Sequence, residues 1–249
     1  MGRIWDEAAL ARVRDVPDKT RRVEAMFNAI VARYELVNTV TTLGLDRGWR
    51  RTLVRCLNLP GDAAVLDLAC GTGQVLRLVR QDLSDAARLV GIDLSEAMLR
   101  QARGRGPGGA LLLRADAQHL PLADNALDAV TCTFGVRNFA DPAAGLAEVF
   151  RVLRPGGIAG ILEFSMPQAA VLERLYAFYF RRALPRLASW LSGDTTGAYA
   201  YLRRSVEAFA DVDLADLMRR CGFQRTWMRP LAWGIVHLYR ARKPGGAGT

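Results

Sequence analysis

The sequence predicts an α/β fold built on a mostly parallel, seven-stranded sheet that closes with an antiparallel hairpin. From residue 63 onward, short apolar segments alternate with amphipathic helical ones, which is the pattern of parallel strands joined by right-handed crossover helices. The predicted parallel strands are residues 63–68, 88–93, 111–114, 127–134 and 158–164. Two further segments, 223–229 and 234–241, predict the hairpin.

Residues 63–166 therefore form the predicted core domain. Ser95 is a predicted N-cap for the core's second helix, and Asp141 followed by Pro142 predicts the start of a later one. Pro155-Gly156-Gly157 ends that later helix before the fifth strand.

A helical preface, residues 1–62, comes before the core. Residues 1–20 are polar and weakly patterned, which predicts a mobile lead-in. One amphipathic helix follows, with apolar residues at helical spacing: Val23, Met26, Phe27, Ile30, Val31 and Tyr34. A second helix ends before Pro60-Gly61 and carries Trp49, Leu53, Val54 and Leu57.

Residues 167–222 predict a helical lid over the core. An aromatic-rich helical stretch covers 171–191, and another helix covers 203–220. Residues 223–243 then return as the strands that complete the core sheet, and 244–249 form a loose tail.

Composition excludes several classes of protein. Of the 249 residues, 51% are apolar and 24% are charged, which is globular and excludes disorder, collagen and coiled coil. No apolar run reaches the ~18 to 20 residues that a membrane-spanning helix needs, and residues 1–6 have no apolar core of the secretory-signal type, so we expect no secretory signal there. The four cysteines form no CxxC pair and the two histidines are far apart, so we expect no metal site and a reduced, cytoplasmic protein.

The net charge of +9 is unevenly distributed. Residues 1–55 carry +4, residues 56–170 carry −2 and residues 171–249 carry +7. An anionic partner would therefore meet the flanks and not the core. An anionic membrane surface fits this pattern, as does simple solvation of arginines. No aromatic-studded recognition module is evident, which disfavours nucleic acid.

Polar residues follow four strands at the edge where a doubly wound sheet binds its ligand. The first strand carries Asp67 and leads into Gly71-Thr72-Gly73, and later strands end at Asp93, Asp116-Ala117 and Thr133. Glycines let a ligand approach the backbone, and the following helix offers free N–H groups. Asp93 is placed to accept both ribose hydroxyls of an adenosine, and Asp116 to hold its adenine amino group.

Two adenosine cofactors compete for such a site. A dinucleotide needs a G-x-G-x-x-G loop, but the third glycine position is Leu76. A pyrophosphate also suits an acidic pocket poorly. S-adenosylmethionine has no phosphate and carries a cationic sulfonium and ammonium, so the acidic strand ends favour it.

Several motifs resemble those of a known family. Residues 65–73 (VLDLACGTG) resemble the first motif of class I methyltransferases. Residues 134–138 (FGVRN), 152–157 (VLRPGG) and 162–165 (LEFS) are similar to the ubiquinone/menaquinone biosynthesis C-methyltransferase family. Other matching residues are Met26-Phe27, Tyr34, Asn38, Asp46, Trp49-Arg50, Tyr201-Leu202 and Gly234-Ile235-Val236. The resemblance covers residues 18–243, nearly the whole chain.

The resemblance implies a Rossmann-like class I methyltransferase fold with S-adenosylmethionine as cofactor. The cofactor-binding residues expected from the loop and from the resemblance are Gly71, Thr72, Gly73, Asp93, Asp116, Ala117 and Thr133. The implied reaction is C-methylation of a polyprenylated hydroquinone in menaquinone or ubiquinone biosynthesis, with a substrate site near Tyr34, Arg137 and Asn138.

The sequence departs from the family pattern at three places. Glu35 stands where the family has Asp after the tyrosine, and Thr133 replaces a serine but keeps the hydroxyl. Residues 209–211 (FAD) lack the family's His-Pro, which leaves a different small aromatic substrate open. An RNA methyltransferase is the remaining alternative with this cofactor.

Methylation of a ring carbon requires the adjacent phenol, whose pKa is ~10, to lose its proton. Within the substrate site that the resemblance implies, our hypothesis is that Arg137 is a fixed cation for the phenolate, with the proton leaving through water, and that Tyr34 and Asn138 orient the ring oxygens. Two structural interpretations stay open: Arg137 as an ion-pair partner, and Tyr34 as part of its helix's apolar face.

The implied substrate keeps its polyprenyl tail in the bilayer, so we expect the protein to visit an anionic membrane surface. An apolar stretch with a basic edge in the predicted lid fits this role: Leu172, Leu175, Tyr176, Phe178, Tyr179, Phe180, Arg181, Arg182 and Arg186. The sequence leaves monomer and homodimer open.

Overall fold

The computed structural model describes residues 3–167 and 196–245. Its strands are β1 (Ala64–Leu68), β2 (Arg88–Asp93), β3 (Leu111–Arg114), β4 (Leu127–Thr133), β5 (Leu153–Phe164), β6 (Gln224–Leu231) and β7 (Val236–Arg242). They form one sheet in the order β3-β2-β1-β4-β5-β7-β6. Neighbours among β1 to β5 are parallel, and β7 is antiparallel to β5 and β6. The predicted mostly parallel, seven-stranded sheet with a closing hairpin is confirmed.

The described helices are α1 (Glu7–Ala11), α2 (Lys19–Ile30), α3 (Tyr34–Thr41), α4 (Leu45–Leu57), α5 (Gln74–Asp82), α6 (Glu96–Gly104), α7 (Pro142–Val152), α8 (Ala198–Phe209) and α9 (Leu214–Arg220). Helices α4, α5 and α6 contribute to one apolar cluster against the sheet, and α7 and α9 contribute to the cluster on its other face. Both faces are therefore covered.

The central strand β1 is buried at every position. Val65 packs into the cluster of α4 and α5, whereas Leu66 and Leu68 pack into the cluster of α7 and α9. A strand covered on both faces is apolar nearly throughout. Its single charged residue, Asp67, is therefore an exception to this pattern.

Both predicted N-caps in the core are confirmed. Ser95 Oγ accepts a hydrogen bond from the Met98 backbone N–H at 3.1 Å. Asp141 Oδ1 accepts from the Ala143 N–H at 2.8 Å, and Pro142 is the first helical residue of α7. These caps satisfy backbone donors that the first helical turn leaves free.

The prediction of a mobile lead-in is wrong for the described part of residues 1–20. Asp6 caps the short helix α1, and Trp5 is buried. The Trp5 ring stacks on Tyr201 with 4.1 Å between ring centroids. Because this partner lies almost 200 residues further along the chain, no local sequence pattern indicates it.

Two predicted helices are each interrupted. The first ends at Ile30, a 3₁₀ turn follows at Val31–Arg33, and Tyr34 begins the separate helix α3. The predicted helix over 203–220 is two helices, α8 and α9, because the chain turns at Ala210 and Asp213 caps α9.

The predicted aromatic-rich helix over 171–191 lies outside the described residues. The domain boundaries at 62/63, 166/167 and 222/223 therefore stay predictions. Within the described ranges, no helix is both long enough and apolar enough to cross a membrane.

Candidate active site

The glycine loop between β1 and α5 turns sharply at the carboxyl edge of the sheet. Gly71 and Gly73 have φ of +55° and +76°, in the left-handed region that favours glycine. The Gly71 N–H donates to Asp93 Oδ2 at 2.8 Å, which ties the loop to the end of β2. The loop is thus held against the second strand.

A first cavity, with about 710 Å³ of empty space, opens above this loop. Of the residues proposed for the cofactor, Gly71, Asp93, Asp116, Ala117 and Thr133 line it. A third carboxylate, that of Glu24 on α2, lines it as well. No lysine or arginine is among the described lining residues. The cavity therefore suits a cationic ligand.

Asp93 is held by backbone donors. Its Oδ1 accepts from the Ser95 N–H at 2.8 Å, and its Oδ2 accepts from Gly71. Burial raises the pKa of Asp93 against the effect of these hydrogen bonds. Asp116 Oδ1, at the end of β3, accepts from the Gln118 N–H at 3.0 Å. Both carboxylates are fixed in orientation before any ligand arrives.

Two residues proposed for the cofactor do not line this cavity. Gly73 is the N-cap of α5, and the Thr72 hydroxyl donates to Glu35 Oε1. Glu35 also pairs with Arg105. Burial opposes ionisation of Glu35, but the hydrogen bond from Thr72 and the charge of Arg105 lower its pKa overall. Glu35, one of the three departures from the family pattern, thus fastens α3 to the glycine loop.

Asp67 lies buried in β1, below the loop. The Thr131 hydroxyl donates to its Oδ1 at 2.8 Å, and its Oδ2 has no hydrogen-bond partner among the described residues. Burial raises the pKa of Asp67 to about 7, which the Thr131 hydrogen bond and the charge of Arg50 only partly oppose. The carboxyl lies beneath the site and lines neither cavity.

A second, larger cavity adjoins the first, and its empty space of about 1740 Å³ includes the open solvent at its mouth. The two cavities share a wall made of Phe27, Tyr34 and Phe134. The second cavity is mostly apolar, with Met26, Ile30, Val37, Leu43, Leu45, Trp49, Phe164, Leu202, Trp233 and Ile235 in its lining. Its size and lining suit a long apolar ligand.

The three proposed catalytic residues lie around the shared wall. Tyr34 lines both cavities, Arg137 lines the second and Asn138 lines the first. The Tyr34 ring contacts Phe27 edge-on.

Arg137 and Asn138 are both engaged with protein groups. Arg137 Nη1 lies 2.6 Å from Glu163 Oε1 and also donates to the Phe134 carbonyl. Asn138 Nδ2 donates to that same carbonyl, and Asn138 Oδ1 accepts from the Tyr201 hydroxyl at 2.9 Å. The ion-pair interpretation of Arg137 is thus part of the structure, next to its position on the cavity wall.

A stacked pair of rings, Phe134 and Phe164 at 4.3 Å between centroids, lies between two arginines. Arg137 lies over Phe164 at 5.4 Å, and Arg50 lies over Phe134 at 5.2 Å. Arg50 and its partner Asp46 line the second cavity. In the sequence both residues stand out only as part of the family resemblance, although their i,i+4 spacing on a helix is a signal of pairing.

The sheet order, the glycine loop after β1 and the ligand cavity at the carboxyl edge define the class I methyltransferase fold. A solved S-adenosylmethionine-dependent methyltransferase from Thermotoga maritima shares it, with a TM-score of 0.62 at 22% identity over 89% of this chain and 99% of that one. The cyclase SpnF has a TM-score of 0.61 at 18% identity, over 91% of this chain and 97% of that one. At these identities the likeness shows the fold alone.

The chain belongs to the ubiE/COQ5 methyltransferase family, whose model matches residues 15–243. A relative from Deinococcus radiodurans, a demethylmenaquinone methyltransferase, is 42% identical over 91% of this chain and 95% of its own length. The ubiquinone/menaquinone biosynthesis C-methyltransferase UbiE of Geobacter sulfurreducens is 38% identical over 91% of this chain and 90% of its own.

Proposed function

We propose that the protein transfers a methyl group from S-adenosylmethionine to a ring carbon of demethylmenaquinol. The proposal rests on two adjoining cavities, one acidic and one apolar, which share a wall made of Phe27, Tyr34 and Phe134. A donor in the first cavity and a ring in the second would meet at this wall.

The residues of the first cavity fit S-adenosylmethionine. Three carboxylates and no described lysine or arginine line the cavity, which matches the cofactor's sulfonium and ammonium. Asp93 would hold the ribose hydroxyls, Asp116 the adenine amino group, and the Gly71 turn would let the cofactor approach the backbone. When bound, the cofactor supplies an electrophilic methyl group.

The second cavity fits a prenylated ring. Its volume and apolar lining match a fused ring with part of a polyprenyl tail, and the relatives that are demethylmenaquinone methyltransferases point to a naphthoquinol. Tyr34 is placed to orient a ring oxygen, because it lines both cavities. Arg137 and Asn138 support the wall next to it, where the charge of Arg137 favours an anionic ring.

The direct test supplies S-adenosylmethionine with a labelled methyl group and a panel of quinols under reducing conditions. The panel contains a demethylated naphthoquinol, a demethylated benzoquinol and a simple catechol. We expect label on the naphthoquinol ring carbon. Transfer to the catechol alone, or to no quinol while calorimetry shows that the cofactor binds, would overturn the proposal.

The mouth of the second cavity supports docking on an anionic membrane. Leu43, Leu45 and Trp233 line the cavity yet are 86%, 50% and 78% exposed. Arg47 and Arg51, on the same helix as Leu45, are exposed as well. Apolar side chains beside cations match the interface of an anionic bilayer, and a prenyl tail would enter here.

Vesicle co-sedimentation tests this docking. Trp233→Ser and Leu43→Ser are expected to weaken binding to anionic vesicles several-fold. The control is Leu111→Ser, because Leu111 is a 58% exposed leucine that lines neither cavity. Equal binding by all variants, or equal binding to neutral and anionic vesicles, would count against docking through this mouth.

A further inference from the structure

The wall of the apolar cavity contains a buried ion pair that the proposed function has not used. Arg50 Nη1 lies 2.5 Å from Asp46 Oδ2, one turn away on α4. Asp46 is 1% exposed and Arg50 is 5% exposed. Burying two charges is costly, and apolar residues of similar size are often as stable or more so. A buried pair at a ligand cavity therefore calls for a functional explanation.

Both members of this pair lie in the wall of the second cavity. Asp46 and Arg50 each line the second cavity, and Asp46 is the sole carboxylate among its described lining residues. Arg50 Nη1 bonds to Asp46, whereas its Nε and Nη2 have no hydrogen-bond partner in the described ranges. The guanidinium lies over Phe134, a ring that borders both cavities. The Arg50 guanidinium, with two nitrogens whose N–H groups no described residue accepts from, therefore lies close to the shared wall.

The second buried pair differs in the position of its acid. Arg137 lines the cavity, but Glu163 lines neither cavity. Glu163 Oε2 instead accepts from the Arg137 backbone N–H, and Oε1 accepts from the Phe164 N–H. This pair therefore braces the 3₁₀ turn Val136–Asn138 against β5. Of the two pairs, Asp46–Arg50 places both a carboxylate and a cation in the wall of the second cavity.

We propose that Asp46 and Arg50 ionise the ring hydroxyl next to the carbon that is methylated, Asp46 taking the proton and Arg50 holding the oxyanion. This assignment rests on the proposed function. The arginine exchanges one anionic partner for another, so the cavity buries no additional charge.

The O–H proton passes to the Asp46 carboxylate, and the phenolate forms. The ring carbon then bonds to the methyl carbon through its π electrons, while the donor's C–S bond breaks and its electron pair stays on sulfur. The proton on the methylated ring carbon leaves to water, and the ring oxygen regains a proton from Asp46. One proton per turnover reaches solvent.

A binding measurement tests the pair without any turnover. The probe is a nitro-substituted naphthol, whose phenolate absorbs visible light, titrated with pH while bound to the protein. In the unsubstituted protein the bound probe should ionise at least one pH unit below the free probe. This shift corresponds to a tenfold or larger increase in the acid dissociation constant of the probe, and Arg50→Gln should abolish it. A shift that survives in Arg50→Gln but is lost in Arg137→Gln would overturn the proposal.

Turnover gives the second readout. Arg50→Gln should lower kcat by about 100- to 1000-fold, the usual effect of losing one oxyanion donor. Asp46→Asn should lower kcat by a similar factor, which lies within the usual range for losing a general base. Cofactor affinity by calorimetry should be unchanged in both. The control is the exposed pair Asp216–Arg220, which has the same i,i+4 spacing on α9. Asp216→Asn and Arg220→Gln should keep full activity. A fall of less than threefold in folded Arg50→Gln would also overturn the proposal.

Two further variants separate catalysis from folding. The double variant Asp46→Leu/Arg50→Met leaves no lone buried charge and is expected to fold. If the single variants unfold, the double variant tests the proposal: it should lose both the pKa shift of the bound probe and most of kcat, and keeping both would overturn the proposal. Arg50→Lys keeps the positive charge and should retain part of the pKa shift of the bound probe. If the unsubstituted protein shifts the probe yet methylates no quinol, the proposed function fails while the pair's role as a phenolate site stands.

Discussion

Arg137 Nη1 lies 2.6 Å from Glu163 Oε1, and both side chains are buried. The charge of Glu163 raises the pKa of Arg137 against the opposing effect of burial. The pair joins the 3₁₀ turn after β4 to the end of β5, and Arg137 also faces the apolar cavity. A substitution at Arg137 therefore changes stability and activity together.

Arg137→Ala is expected to lower the free energy of unfolding by ~3 to 5 kcal/mol, because it leaves the Glu163 carboxylate buried without its partner. Denaturant unfolding of Arg137→Ala and of the double variant Arg137→Met/Glu163→Leu measures this loss of stability. The double variant should recover most of the loss. Where Arg137→Ala remains folded, it should bind cofactor but turn over slowly. A single-variant loss below ~1 kcal/mol would show that the pair is not structural.

Trp5→Ala should destabilise the protein by ~3 to 5 kcal/mol, the usual cost of truncating a large buried aromatic residue. It should also raise the KM for the quinol, because Trp5 stacks on Tyr201, which lines the apolar cavity and holds Asn138. Urea unfolding and steady-state kinetics measure the two effects. Trp227→Ala, at a more exposed tryptophan on β6, is the control and should change neither.

Because Asp67 titrates differently in the folded and unfolded states, the free energy of unfolding should fall as the pH rises from ~4 to about 7. Burial raises the pKa of its folded form to about 7, whereas the unfolded chain titrates near ~3.9. In this window the folded protein holds a proton that the unfolded chain has lost, so rising pH favours unfolding until about pH 7, where the effect levels off.

Comparing unfolding of the unsubstituted protein and Asp67→Asn at pH 5 and pH 8 measures this contribution. The stability lost between the two values should be smaller in the variant by a few kcal/mol, on the basis of ~1.4 kcal/mol per pKa unit. Asp62→Asn, at an exposed carboxylate just before β1, should behave like the unsubstituted protein. Identical pH profiles for all three would contradict the expected titration.

Glu35→Gln should weaken cofactor binding by roughly 3- to 30-fold. The variant weakens the hydrogen bond from Thr72 and loses the ion pair with Arg105, so α3 no longer holds the glycine loop. Calorimetry with S-adenosylmethionine measures the change. Glu207→Gln breaks a half-buried pair with Arg203 on α8 and is the matched control. Equal affinity in both variants would show that the loop keeps its shape without Glu35.

Local patterns predicted the strands and caps well. The apolar run of β1 and the capping residues Ser95 and Asp141 act over a few neighbouring positions, so the sequence shows them directly. The placement of Asp93 and Asp116 followed from one topological rule, that parallel strands bring their carboxyl ends to the same edge. Both carboxylates do line the first cavity.

The features that local patterns did not predict involve partners that lie far apart in the chain. The lead-in is ordered because Trp5 stacks on Tyr201, and the Thr72 hydroxyl donates a hydrogen bond to Glu35. Neither pairing leaves a periodic signal in the sequence. The break between α8 and α9 was missed because the apolar spacing continues across it.

The strands, the glycine loop, the acidic strand ends and the family motifs each depend on residues close in the chain, so they can be predicted from the sequence. Which side chains line the two cavities, and which are occupied by protein partners, depends on the packing of distant segments. Arg137, Glu163, Asp46 and Arg50 show the difference. Their charges are visible in the sequence, but which carboxylate reaches the cavity depends on how α4 and β5 pack around the ring of Phe134.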